Sequence, residues 1–188
     1  LIYKIFIEDT PYIFQDSEII NLTFIGGGPG SEAYGAIKYI VNNCPKVKAV
    51  NVFILDINAN TWSFSHDVVL EHIIKIITID KIKVELKAIP FDLTNASDIF
   101  KIEELVGKTD LLVIQNCLNE VANVNYDSLT KNVKELFKYL PNSSYFLMSD
   151  LTSGARNTIK NLEKILIEEF NPKFLKSTLS LPSSKTLI

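Results

Sequence analysis

Residues 22–30, Leu22-Thr23-Phe24-Ile25-Gly26-Gly27-Gly28-Pro29-Gly30, decide how the chain is read. A short apolar run ends in a glycine cluster, and helical spacing begins directly after it at Ser31. Four of the chain's seven glycines fall in the five positions 26–30. So many glycines cost a plain turn much chain entropy. Their density points instead to a backbone that turns tightly and approaches a ligand closely. The helix start that follows offers free N–H groups and a positive dipole end.

Outward from this turn, strand and helix signals alternate. Residues 31–41 have helical spacing, with Tyr34, Ile37, Lys38 and Val41 near one face. Residues 48–56 (KAVNVFILD) read as a strand, 60–77 as a long helix, and 84–92 (VELKAIPFD) as a strand with Pro90 near its end. Residues 97–106 read as a helix stopped by Gly107, and 110–116 (DLLVIQN) as a strand buried on both faces. An amphipathic helix over 128–140 stops at Pro141, a buried strand follows over 144–150, and a helix over 156–170. One further strand is expected near 174–181. Five such alternations predict an α/β fold: a doubly wound, mostly parallel sheet with helices on both faces. Sheets of this kind bind ligands beyond the carboxyl ends of their strands.

The 188 residues suit one domain over 1–188, with 1–20 as an N-terminal extension packing on the core. At 47% hydrophobic and 22% charged, the chain can bury a sizeable core, which excludes disorder as its main state. Cys44 and Cys117 are too few for a disulfide scaffold or a thiolate zinc site, and His66 and His72 too sparse for another metal site. No metal is therefore expected, and a reduced intracellular setting, the cytoplasm, fits best. The longest apolar stretch, 68–79, is interrupted by Glu71, His72 and Lys75, so no membrane span is expected. The first residue is Leu, which leaves room for a removed targeting segment.

Net charge is −3, but residues 156–188 carry six basic and three acidic side chains, so the rest carries −6. An acidic body argues mildly against nonspecific binding to nucleic-acid phosphates. The basic end allows a local phosphate contact or is a solvated helix face.

Gly28-Pro29-Gly30-Ser31-Glu32-Ala33 fits the dinucleotide pattern G-x-G-x-x-A. Gly26, Gly28 and Gly30 also fit G-x-G-x-G, and that match extends further. Here the sequence resembles the class I S-adenosylmethionine-dependent methyltransferases over residues 22–170. Their glycine motif follows an apolar first strand, as residues 22–30 do. Their second strand ends in an acidic residue, like Asp56. Their third often does, and Phe91-Asp92-Leu93 looks like that site. Their fourth strand begins near an Asp and ends at the methyl-transfer site, as in residues 110–116. Two departures stand out. Phe24 replaces the family's usual acidic residue two positions before the first glycine, a contact left to Glu32 or water. Only 171–188 remain for the closing antiparallel strands, which are therefore expected to be abbreviated.

The resemblance implies S-adenosylmethionine as cofactor. It implies that the backbone of Gly26, Gly27, Gly28 and Gly30 faces the methionine end, and that Asp56 takes the ribose hydroxyls in charge-assisted bonds. Ile57 then packs on the adenine, Asp92 accepts from the adenine amino group, and Leu93 supplies apolar contact and a backbone N–H. Asn116 and Cys117 border the methyl group. The bland alternatives are a solvated Asp56, an Asp92 that caps the next turn, and a Cys117 that is a small half-buried thiol. Trp62 either edges the pocket or fills the core. Methyl transfer needs alignment more than a dedicated base, so Asn116, Asn119 and Glu120 are candidates only, as is Asp150 for substrate contact.

Residues 116–120 (NCLNE) do not resemble the Asp/Asn-Pro-Pro-Tyr/Phe motif of enzymes that methylate base exocyclic amines or glutamine amides. The acceptor, whether small molecule, protein or RNA, stays open, as does oligomeric state. Two other readings stay open beside a methyltransferase: a non-catalytic scaffold or partner subunit on the same fold, and a nicotinamide-dependent oxidoreductase. The last would need a substrate domain, and Gly26 has no role in its motif frame.

Overall fold

The computed structural model describes residues 2–9, 12–79, 81–150, 155–171 and 185–187. They form two compact units, Leu1–Phe91 and Asp92–Ile188.

In the first unit, β1 (Ile19–Ile25), β2 (Ala49–Asp56) and β3 (Lys83–Pro90) run parallel, with β2 between the other two. Register pairs Ile25 with Leu55 and Asp56 with Pro90. Parallel neighbours need crossover connections, and helices supply them. α2 (Ser31–Asn43) links β1 to β2. A helical run links β2 to β3: α3 (Ser63–Val68), a π-helical turn (Val69–Ile74) and α4 (Lys75–Thr78). β2 alternates in burial through Val50, Val52 and Ile54, which line the core.

The buried face of α2 is Ala33, Ala36, Ile37, Tyr39 and Ile40, one position earlier than the expected row of Tyr34, Ile37, Lys38 and Val41. The two alanines carry little apolar signal in sequence, yet let the helix approach the sheet closely. Tyr34 and Lys38 instead share an outer face, where the Lys38 ammonium lies over the rings of Tyr3 (5.5 Å) and Tyr34 (5.8 Å). α1 (Ile2–Asp9) packs on α2 through Phe6, which meets Tyr39 edge-on at 5.2 Å and Phe14 at 6.2 Å.

In the second unit, β4 (Leu111–Gln115) and β5 (Tyr145–Ser149) are parallel, and β6 (Lys185–Leu187) pairs antiparallel with β5. All five residues of β4 are buried, the apolar run Leu111–Ile114 and the polar Gln115 that ends it. The helix expected over 97–106 is two short ones, α5 (Ala96–Lys101) and α6 (Glu103–Val106), broken at Ile102. Gly107 ends α6 with φ −63, an ordinary right-handed conformation. α7 (Leu118–Tyr139) is kinked by non-helical backbone at Asn125, whose Oδ1 accepts from the Ser128 amide at 3.1 Å; the helix expected from 128 is the part after the kink, and the turn or two from 118 to 124 was not expected. α8 is Ala155–Phe170. Phe137 of α7 joins them to the sheet, 5.6 Å from Phe146 and 4.9 Å from Phe170. The strand expected near 174–181 lies outside the described residues. Among the described residues, no helix is long and apolar enough to cross a membrane.

Candidate functional site

The glycine turn leaves β1 by a change of backbone hand. Gly26, Gly28 and Gly30 have φ of 70, 44 and 88, the left-handed region that side chains resist. The Gly26 amide donates to Leu55 O at 2.8 Å, extending the β1–β2 ladder by one rung. The Gly30 amide donates to Gly27 O at 2.9 Å, which closes the turn against α2. Gly27 is constrained by space instead: a Cβ there would stand 2.9 Å from Ile54 Cγ2 and 3.2 Å from Phe24 Cβ. Gly30, as the N-cap of α2, offers no side chain to the helix's leading amides.

Asp56 ends β2 half-buried and ties two loops together. Its Oδ2 accepts from the Gly28 amide at 3.0 Å, and its Oδ1 accepts from the Asn58 amide at 2.8 Å. A carboxylate has about four lone-pair positions, so acceptor capacity remains after both bonds. Ile57, the next residue, is 66% exposed, an apolar ledge beside that carboxylate.

His66 is a site residue that sequence reading missed. Its side chain is only 4% exposed. Its Nε2 lies 2.7 Å from Gly28 O. A carbonyl can only accept, so Nε2 carries the hydrogen and donates it. Trp62 is half-buried one helical turn earlier, and its ring stands 4.0 Å from where a Cβ on Gly28 would be. The i, i+4, i+7 row Trp62, His66, Val69 was the available signal, since it turns one helical face toward the glycines. Phe24 is buried at 2% exposure, and Glu32 accepts from the Ser31 hydroxyl at 3.0 Å.

In the second unit, Asp92 lies two residues beyond β3 and is half-buried. Its Oδ1 accepts from the amide (2.8 Å) and hydroxyl (2.7 Å) of Thr94, so one oxygen serves the local turn. Its own amide donates to Asp98 Oδ2 at 3.1 Å. The Lys101 ammonium beside Asp98 holds that carboxyl below its ordinary range. The Leu93 side chain is buried and its carbonyl accepts from Asn132 Nδ2 at 2.8 Å.

Asn116, just after β4, is exposed in the left-handed region at φ 57, and its amide donates to Ser149 O at 3.0 Å. Cys117 is half-buried and precedes the first turn of α7. Asn119 and Glu120 lie in that turn, not in a loop. The Asn119 amide donates at 3.2 Å to Oδ2 of Asp150, which is buried at the end of β5. Glu120 is exposed. Among the described residues, no group of three or more His, Cys, Asp or Glu could hold a metal ion.

No protein-family model matches the chain, and no curated protein matches it significantly. Solved structures do. The chain is similar to CalS11, a TDP-rhamnose 3'-O-methyltransferase of calicheamicin biosynthesis, with TM-score 0.59 and 9% identity over 98% of this chain and 78% of that one. It is similar to a ribosomal protein L11 methylase from Lactobacillus delbrueckii subsp. bulgaricus, with TM-score 0.53 and 15% identity over 99% of this chain and 75% of that one. It is also similar to an S-adenosylmethionine-dependent methyltransferase from Clostridium acetobutylicum, with TM-score 0.51 and 16% identity over 84% of this chain but only 53% of that one. At such low identity the likeness is one of backbone arrangement: the chain carries the Rossmann-like α/β fold of the class I S-adenosylmethionine-dependent methyltransferases.

Proposed function

We propose that the chain is an S-adenosylmethionine-dependent methyltransferase. The observation that carries this reading is the bond from the Gly28 amide to Asp56 Oδ2 at 3.0 Å. It joins a left-handed glycine turn to a half-buried carboxylate that retains acceptor capacity. An adenosine needs that pairing, with close backbone approach on one side and an acceptor for a ribose diol on the other. The residues fit the group. Gly26, Gly28 and Gly30 hold a left-handed turn that side chains resist, and Gly27 lets that turn lie close on Ile54 and Phe24, so the backbone after β1 is open to close approach. The leading amides of α2 suit a carboxylate at the methionine end.

Asp56 holds the ribose, and exposed Ile57 covers one adenine face. The second-unit roles rest on the order of motifs alone. Asp92 takes the adenine amino group through the oxygen that Thr94 leaves free, and Leu93 contributes its N–H. Asn116 and Cys117 border the reacting methyl. Asn116, Asn119 and Glu120 are candidates for acceptor contact. When bound, the cofactor supplies an activated methyl on a sulfonium leaving group. The transfer would be an in-line displacement in which the acceptor atom would take that methyl from the sulfonium and give up its proton. The chain's part is to align the two partners and exclude water. The acceptor is a small molecule, a protein or RNA.

Thermal unfolding with S-adenosylmethionine, S-adenosylhomocysteine, NAD(H) and NADP(H) tests the reading. A ligand at about 100 times its dissociation constant adds about 2.7 kcal/mol. Stabilisation by the two adenosyl compounds, lost in Asp56→Ala, is expected. A shift with nicotinamides alone moves the reading to an oxidoreductase, and no shift at all moves it to a non-catalytic scaffold.

A further inference from the structure

β3 leaves one side open, because no strand among the described residues pairs with it beyond β2. The Lys83 amide donates to Lys48 O at 2.9 Å and the Phe91 amide to Asp56 O at 3.1 Å. Odd-numbered residues therefore face β2, and Val84, Leu86 and Ala88 turn their N–H and C=O groups to the open side. Pro90 falls in the same outward set, where its missing N–H breaks no ladder bond.

The side chains add two features. Lys83, Glu85 and Lys87 form an exposed charged row on one face of the strand, in which the Lys83 ammonium pairs with Glu85 at 2.6 Å and leaves the second Glu85 oxygen and Lys87 for a facing strand. α4 packs beside β3; Ile73 and Ile76 of the helical run are exposed, Ile76 at 66%, as is Ile79 just after it at 62%. Its other side is already apolar, since Ile74 is fully buried. An open strand edge is an association surface.

We propose that the occupant is a second copy of this chain, with the two β3 strands paired antiparallel about Leu86. Charge selects that register. Centred on Leu86, each Glu85 lies opposite Lys87 of the second copy, and each Val84 lies opposite its Ala88. The outward-facing Leu86 residues exchange both backbone bonds. Shifted by one residue, the axis falls on Glu85. Glu85 then opposes Glu85 and Lys83 opposes Lys87, and like charges placed directly opposite destabilise a pair. The pairing joins two sheets edge to edge. It does not depend on what the glycine turn binds.

Sedimentation equilibrium of the 188-residue chain tests this. A concentration-dependent dimer is expected in the micromolar range. Lys87→Glu and Glu85→Lys, each singly, should weaken it about ten-fold by replacing two attractive cross-strand pairs with repulsive ones. The double variant Glu85→Lys/Lys87→Glu should restore it. Hydrogen exchange gives a second readout: the amides of Val84, Leu86 and Ala88 should be protected at high concentration and exchange freely on dilution. Circular dichroism confirms that each variant is folded. A chain that stays monomeric overturns the proposal. So does a dimer indifferent to the single charge reversals, or a double variant that does not recover.

Discussion

The amide of Gly28 donates to Oδ2 of Asp56 at 3.0 Å across 28 residues of sequence. The bond locks the glycine turn after β1 to the carboxylate that ends β2, so the geometry of one depends on the charge of the other. Hydrogen bonds to charged groups contribute about 1.5–3 kcal/mol each. Asp56→Ala should therefore weaken S-adenosylhomocysteine binding roughly ten- to a hundred-fold. The loss should shrink for an analogue lacking the ribose 2'-hydroxyl. Titrating both proteins with both ligands closes the cycle, and equal losses for the two ligands would remove the ribose from the role of Asp56.

Two glycines in the turn are held for different reasons, and one substitution separates them. A Cβ on Gly30 would stand 3.0 Å from Ile54 Cδ1, whereas one on Gly27 would stand 2.9 Å from Ile54 Cγ2. Ile54→Val removes only Cδ1. Gly30→Ala and Gly27→Ala should each cost about 1–3 kcal/mol by urea unfolding. Adding Ile54→Val should recover part of the first loss and none of the second. Gly30→Ala keeps the strain of φ 88 in either background. Purely additive losses for both pairs would count against this packing.

His66 positions the turn from beneath by donating to Gly28 O at 2.7 Å. His66→Ala should cost about 1–3 kcal/mol of stability, because the carbonyl loses its partner. It should also weaken cofactor binding. His66→Gln keeps an N–H donor and should recover much of both. A lowered Tm with unchanged S-adenosylhomocysteine affinity would confine His66 to packing.

Burial pushes the Cys44 thiol from its ordinary 9.0 up to about 11. The folded state then keeps a proton that the unfolded state releases, so stability is full below about pH 9 and falls as pH rises through 11. Cys44→Ala should flatten that part of the stability profile. Half-buried Cys117 should react with iodoacetamide well before Cys44, whose Sγ donates to Ile13 O at 3.4 Å. Mass spectrometry after brief alkylation checks the order, and equal modification of both would contradict it.

Much of this was legible in the chain because parallel strands buried on both faces are nearly continuous apolar runs. β4 and β5 stood out for that reason, and β2 for its Val, Ile and Phe. The glycine cluster and Asp56 were legible because each follows a strand directly. The start of α7 was not. Asn116, Asn119, Asn123 and Asn125 crowd that region, and asparagine is a weak helix former. The helix there is held by its packing and by Asp150, which accepts from the Asn119 amide 31 residues away. The π-helical turn at Val69–Ile74 leaves no mark in an apolar pattern. The burial of His66 depends on Gly28, 38 residues earlier, a pairing that no local spacing contains.

The most direct test of the central claim is the amide NMR spectrum of the chain titrated with S-adenosylhomocysteine. Saturable shifts at Gly26, Gly28, Gly30 and Ile57 are predicted, with the amides of α8 unmoved and the shifts lost in Asp56→Ala. Silence at those four amides, or movement only with NADH, would contradict the assignment of the glycine turn and Asp56 to an adenosyl cofactor.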